Sequence, residues 1–237
     1  EPTVAGHVIL DALRAITQLD PAQFAHSRIA MTGYSGGAIA TSGATKLMGS
    51  YAPELVSRTV GSAIGGVPAD FRMLVGSMNA NLGTGLLHSA TFGIARERPE
   101  ILTLTNNFAR WLTTSPLKDG CASVLAMGGA TMFPMQLLSS SPDPFRSPVA
   151  NRIYEITRMA DVKSSGPLYI YQGTYEWWIP AAGARALFSE QCAMGTNATY
   201  QEVPGEHVTS SLLGFPGALQ WLDQRLRGIP PHDGCPR

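Results

Sequence analysis

Charged residues are few in this sequence: Asp, Glu, Lys and Arg fill 14% of its 237 positions, and 17 basic residues balance 17 acidic ones. No net field is left to draw in nucleic acid, an anionic membrane or an acidic substrate, so an uncharged or apolar ligand is expected. Long apolar runs are missing too, and no stretch of about 18 uninterrupted apolar residues could form a transmembrane segment. The first residues, Glu1-Pro2-Thr3, lack the charged and apolar regions of a signal peptide. The expectation is a soluble chain whose export signal has already been removed. Cysteine is sparse and odd in number, so Cys121, Cys192 and Cys235 cannot all pair within one chain. They show no C-x-x-C spacing and the five histidines are scattered, which excludes the familiar metal constellations. A phosphate cradle is absent as well, since no Gly-Lys-Ser or Gly-Lys-Thr follows Gly33 to Gly37. No metal site or phosphate cradle is therefore expected.

What is present begins with length, which suits one hydrophobic core carrying an inserted cap. The chain holds 25 Gly and 17 Pro, and Asn197-Ala198-Thr199 forms a glycosylation sequon. Both features lean towards a secreted, extracellular protein in which disulfides persist.

Apolar residues Val8, Ile9, Ala12, Leu13, Ile16 and Leu19 recur at helical spacing over residues 5 to 19, predicting an amphipathic helix on a core that ends at Asp20-Pro21. Arg28 to Gly33 reads as a short strand, and Gly36 to Met48, rich in small residues, as a helix. Thr59 to Ile64, Pro167 to Tyr171 and Ala198 to Val203 supply three more strands. Strands alternating with helices predict a mainly parallel sheet covered by helices on both faces. Between the second and third strands lie about 100 residues of mostly helical pattern, such as Pro99 to Thr113 with Ile101, Leu102, Leu104, Phe108 and Trp111. The predicted division is a core from residues 1–67 and 161–237, with a helical cap or lid inserted over 68–160.

The chemistry gathers around Gly33-Tyr34-Ser35-Gly36-Gly37, a G-x-S-x-G sequence at the predicted strand-to-helix turn. Such a turn holds the serine hydroxyl clear of the sheet, and glycines avoid collisions in its tight backbone. It also puts the Gly36 N–H at a helix start, where it can stabilise an oxyanion. A serine hydroxyl needs a base to become a nucleophile. His207, in Pro204-Gly205-Glu206-His207-Val208 just after the last strand, fits the order serine, acid, histidine. His7, His26, His88 and His232 read as surface or packing histidines. The acid belongs after the third strand, where Glu176 is the carboxylate in Gln172 to Pro180 and no Asp occurs between Asp161 and Asp223. Trp177 and Trp178 beside it serve equally well as acyl-pocket walls or as core packing.

These residues resemble a known family, the fungal and actinobacterial secretory lipases of the lipase A type, within the α/β-hydrolases. The likeness is carried by Leu10-Asp11-Ala12-Leu13-Arg14-Ala15, Gly33 to Ala38, Gly65-Gly66-Val67-Pro68-Ala69-Asp70, Tyr171-Gln172-Gly173-Thr174 with Ile179-Pro180, and Trp221 to Gly228. It implies an α/β-hydrolase fold and an exported carboxylic ester hydrolase (lipase or esterase), with a helical cap over an apolar acyl site and no cofactor. Ser35 and His207 take the family's serine and histidine positions; Glu176 stands where the family usually has Asp. Members are also much longer at the N-terminus, where earlier strands form half of the sheet. The expectation is that those strands are missing here and that a separate N-terminal piece of the same precursor completes the fold. Cys192 and Cys235, 43 positions apart, can then pair with each other and leave Cys121 for that piece.

The reading is hydrolysis of an acyl ester or glyceride by a Ser35-His207-Glu176 triad through an acyl-enzyme. An acyltransferase would use the same triad, and a ligand-binding protein without catalysis could share the fold.

Overall fold

A computed structural model describes residues 1–236, the side chains of residues 122 and 123 aside. The elements run α1 (Pro2–Leu19), α2 (Pro21–Phe24), β1 (Ile29–Tyr34), α3 (Gly36–Tyr51), α4 (Pro53–Val56) and β2 (Thr59–Gly65). Next come α5 (Phe71–Met78), α6 (Thr84–Ile94), α7 (Asn107–Thr114), α8 (Ala122–Met127) and α9 (Pro148–Arg158). β3 (Leu168–Gly173), α10 (Ala181–Ala193), β4 (Ala198–Val203) and α11 (His207–Leu226) complete the order. The chain divides into two compact units, one of Glu1–Ala69 with the residues from Arg158 onward, the other Asp70–Thr157.

The first unit is built on four strands in the order β1-β2-β3-β4, every pair parallel. Alternation along the strands divides two buried layers. Ile64, Leu168, Ile170 and Ala198 point to one side, where Ala38 of α3 and Ala184 and Leu187 of α10 cover them. Ala63, Tyr169, Tyr171 and Val203 point to the other, under Ala218, Trp221 and Leu222 of α11. The fit on the α11 side is tight enough to dictate glycine. A Cβ on Gly65 would lie 2.1 Å from Tyr171 Cζ, and one on Gly214 of α11 2.3 Å from Tyr171 Cδ2.

α1 shows a departure from its sequence pattern. The apolar spacing nominates Val8, Ile16 and Leu19, yet these stay 63%, 43% and 85% exposed while Leu10 is fully buried. Glycine decides the face. A Cβ on Gly6 would lie 2.6 Å from Gly43 C, and a Cβ on Gly43 only 2.0 Å from Pro2 O, so α1 approaches α3 through its small residues. Leu10 then enters a cluster with Ile29, Met31, Ala44 and Met48. The Glu1 carboxylate starts α1 by accepting from Thr3 N at 3.2 Å, and Asp20 ends it while capping α2.

Among the described residues β1 pairs on one side only. Cys192 of α10 is bonded to Cys235, which ties the tail back to the sheet, and Gly234 N donates to Ala198 O at 2.9 Å. Cys121 is exposed and unpaired. Neither this thiol nor the open side of β1 identifies a partner chain.

The second unit is helical. Among its described residues the sole β pairing is an isolated bridge between Thr105 and Ser139. Ile94, Ala95, Ile101 and Ile153 form one core cluster in it, with Phe71 and Val149 against them. The helix expected over Pro99 to Thr113 is broken. Residues Pro99–Leu104 form a 3₁₀ turn, Thr105 is extended in its bridge, and the Asn106 side chain starts α7 by accepting from Ala109 N at 3.0 Å. No described helix is long and apolar enough to cross a membrane.

Candidate active site

Ser35 stands between β1 and α3 with φ 53° and ψ −116°, a left-handed backbone that costs a non-glycine residue on the order of 1–3 kcal/mol. The turn is held from both ends. Ser35 N donates to Gly65 O at 2.9 Å, and Ser35 O accepts from Ala38 N and Ile39 N at 3.0 and 3.1 Å. Gly33 is required where the chain doubles back, because its Cβ would sit 2.2 Å from Gly37 O. Gly36 and Gly37 differ from that expectation: nothing lies within 4 Å of a Cβ on either, so collision is not what calls for glycine there. Gly36 is the first residue of α3, and the opening N–H groups of a helix have no partner within it.

His207 is the first residue of α11 and is 8% exposed. Glu206 caps the helix, its carboxylate accepting from Val208 N and Thr209 N, both at 2.8 Å. These contacts hold the Glu206 carboxyl below the usual range, the Thr209 hydroxyl contributing most.

Glu176 and His207 are brought together. Glu176 Oε2 lies 2.6 Å from His207 Nδ1, and the Glu176 side chain is wholly buried. Its other oxygen, Oε1, accepts from Trp178 N and Ile179 N, both at 3.1 Å. The carboxylate is thus held as an acceptor on both oxygens, which selects the tautomer of the neutral imidazole that donates from Nδ1 and accepts at Nε2. The loops bearing the two residues are themselves bonded, Thr174 N to Val203 O at 2.9 Å and Tyr175 N to Gly205 O at 3.0 Å. Buried Gln172 adds a donor to Ile179 O at 2.8 Å.

Around the imidazole Tyr34, Ser210 and Gly66 escaped the sequence reading, which left Trp178 open between pocket wall and core packing. Tyr34, inside the G-x-S-x-G run, donates its phenol O–H to His207 O at 2.6 Å and lies 2.8 Å from Ser210 Oγ. Burial pushes that phenol up to about 12, the Glu176 charge adding to the effect and the Ser210 hydroxyl opposing it. The Trp178 ring centre is 5.8 Å from that of His207, and Trp177 packs on Trp178 at 4.8 Å. Gly66, at φ 53°, leaves room for both rings: a Cβ there would meet Tyr34 Cζ at 2.6 Å and His207 Cε1 at 3.0 Å. Ser210 was readable as the residue one helical turn after His207; nothing local marks Gly66. Among the described residues no three His, Cys, Asp or Glu side chains gather as metal ligands would.

Known proteins carry the same arrangement of chain. The Secretory lipase family model matches residues 2–234. Lipase 1 of Candida albicans is 26% identical over 248 residues, covering 98% of this chain and 53% of its own length. A Mycobacterium tuberculosis protein named a probable inactive lipase is 30% identical, over 98% of this chain and 53% of its own. The chain thus spans about half the length of the curated relatives it matches. Among solved structures, Candida antarctica lipase A in its closed state superposes with a TM-score of 0.87 at 24% identity, covering 99% of this chain and 57% of that one. A ligand-bound form of the rice cell wall degrading esterase LipA from Xanthomonas oryzae gives 0.69 at 12% identity, covering 92% and 63%. With the family model spanning almost every residue and a parallel sheet flanked by helices beneath it, this chain belongs to the secretory lipase family and has the α/β-hydrolase fold.

Proposed function

We propose that the chain is a secreted carboxylic ester hydrolase that acts on acyl esters or glycerides through Ser35, His207 and Glu176. The observation that carries this reading is the buried 2.6 Å contact between Glu176 and His207, in the chain that also sets Ser35 on a strained strand-to-helix turn. Ser35 Oγ attacks the ester carbonyl while its proton passes to His207 Nε2. Glu176 balances the imidazolium, and the Gly36 N–H donates to the oxyanion. His207 then returns the proton to the departing alcohol, leaving an acyl-Ser35 ester. Water, deprotonated by the same imidazole, releases the acid and restores Ser35. Glu176 serves where an aspartate is usual because a carboxylate on either stem can accept from Nδ1. The helical unit, expected from the sequence as a cap over 68–160, is assigned that role with the bounds Asp70–Thr157.

One observation favours a second reading, a binding protein without turnover: the 30% identical mycobacterial relative is itself named a probable inactive lipase. A fluorophosphonate separates the two. Intact mass after exposure should rise by a single label, absent in Ser35→Ala, and Ser35→Ala should not turn over an aryl ester. An unlabelled wild-type chain would overturn the hydrolase reading in favour of the binding one. The same mass, recorded without reductant, also reports any piece held through Cys121 as mass lost on reduction.

A further inference from the structure

A triad needs its base fixed in two respects, the rotation of the ring and the position of the backbone that carries it. Glu176 settles the first through Nδ1. Nothing in the triad settles the second. His207 begins α11, and the last or first residue of a helix has fewer internal bonds than its middle.

We infer that Tyr34 is a positioning residue for His207, a buried phenol strut that ties the backbone of the base to the strand carrying the nucleophile. Tyr34 is the neighbour of Ser35 in the chain and the last residue of β1. Its hydroxyl donates to His207 O at 2.6 Å across 173 residues of sequence, so one bond sets the start of α11 against the Ser35 turn. The Ser210 hydroxyl, fully buried, lies 2.8 Å from the Tyr34 oxygen and 3.4 Å from His207 O. Tyr34 uses its single proton on the carbonyl, and the Ser210 proton goes to Tyr34 at 2.8 Å in preference to His207 O at 3.4 Å, so the two hydroxyls form a chain running Ser210 to Tyr34 to His207 O. Chains of this kind polarise and strengthen each bond, most of all out of water. The ring is confined as well. It lies 5.1 Å from the imidazole centre and 5.8 Å from the ring of Tyr171, and the absent side chain of Gly66 leaves the space it fills. Among the described residues no other hydrogen bond joins β1 to His207.

The kinetic part of this inference rests on the proposed hydrolase reading; the positional part does not. Misplacing a reacting group by about 1 Å can cost on the order of a hundredfold in rate. Tyr34→Phe keeps the ring and removes the strut, so kcat on an aryl ester should fall about tenfold to a hundredfold with KM within twofold. Ser210→Ala, which removes only the second donor, should fall less, by about threefold. The activity-independent readout is the proton on His207 Nδ1 in ¹⁵N-edited NMR of the same 237-residue chain. In Tyr34→Phe it should exchange with water faster and broaden while the thermal midpoint stays near wild type, a pattern that general loosening would not produce. Unchanged kcat and an unchanged Nδ1 proton in both variants would overturn the inference. A wild-type chain that takes no fluorophosphonate label would overturn the hydrolase reading alone, and the Nδ1 proton would still decide for or against the strut. If Tyr34→Phe fails to fold, Ser210→Ala carries the same two readouts.

Discussion

At the scale of single residues, the Glu176 carboxylate is occupied twice, and this makes its replacement by an amide unusually informative. Oε2 accepts from His207 Nδ1 while Oε1 accepts from two backbone N–H groups. The Glu176→Gln side chain has only one acceptor oxygen. If that oxygen stays with Trp178 N and Ile179 N, the amide NH₂ faces Nδ1 and imposes the other tautomer, with the proton on Nε2 where Ser35 needs a base. On the proposed mechanism kcat should fall by about 10³ to 10⁴ with little change in the folded structure. Steady-state kinetics with circular dichroism checks this; a loss below tenfold would remove Glu176 from the acid role. The pairing of Glu176 with His207 was legible because each follows a strand in the order the proposed chemistry demands. Tyr34 was not, since a tyrosine inside a glycine-rich run looks the same whether it points into solvent or at a carbonyl 173 residues away.

At the scale of elements, β4 spans the residues its sequence pattern predicts, Ala198 to Val203, and the other strands differ by one or two positions. Strands buried on both faces are short apolar runs between turns, and this pattern survives without knowledge of the neighbours. Helix faces are harder to read. The hydrophobic spacing of α1 points to Val8, Ile16 and Leu19, but the contact is made through Gly6 and Gly43, and glycine adds nothing to an apolar pattern. The long helix expected over residues 99 to 113 fails for a related reason. Its break at Thr105 and Asn106 depends on Ser139 and Leu138, which the local pattern does not contain. The α1 contact can be tested directly. Gly43→Ala places a Cβ 2.0 Å from Pro2 O, a backbone atom that cannot rotate away, so α1 must move. Overpacking of this kind costs about 1–3 kcal/mol. Gly76→Ala in α5 meets nothing within 4 Å and should instead gain roughly 0.5–1 kcal/mol from helix propensity. Urea unfolding of the two variants beside wild type should give shifts of opposite sign; shifts of the same sign would mean that α1 does not pack as described.

At the scale of the whole molecule, stability should carry the signature of one buried lysine. Lys46 of α3 is 5% exposed, and its Nζ donates to Arg158 O at 3.3 Å and to Met159 O at 2.9 Å. Two neutral carbonyls replace water poorly around a full charge. Burial therefore lowers the Lys46 pKa to about 8, with the nearby Arg158 charge pushing the same way and Asp161 opposing. The unfolded lysine titrates near 10.5. Between these values the unfolded chain holds the extra proton, so stability rises with pH through that window and the gain is lost as pH falls through about 8. The full difference amounts to roughly 3 kcal/mol at most. The upper end is masked by the buried tyrosines, Tyr34, Tyr154, Tyr171 and Tyr200. Burial raises each of them to about 12, so they favour unfolding once free tyrosine ionises near 10. The clean comparison is therefore the urea midpoint at about pH 7.5 against about pH 9, where free tyrosine is still roughly nine-tenths protonated and Lys46 dominates among these groups in the difference between the two states. Wild type should be more resistant at the higher pH. Lys46→Met keeps the length of the stem and cannot titrate, so its midpoint should lose that rise, whatever its absolute stability. An equal rise in both proteins would assign the effect to other groups and show that the Lys46 charge is better solvated than its surroundings indicate.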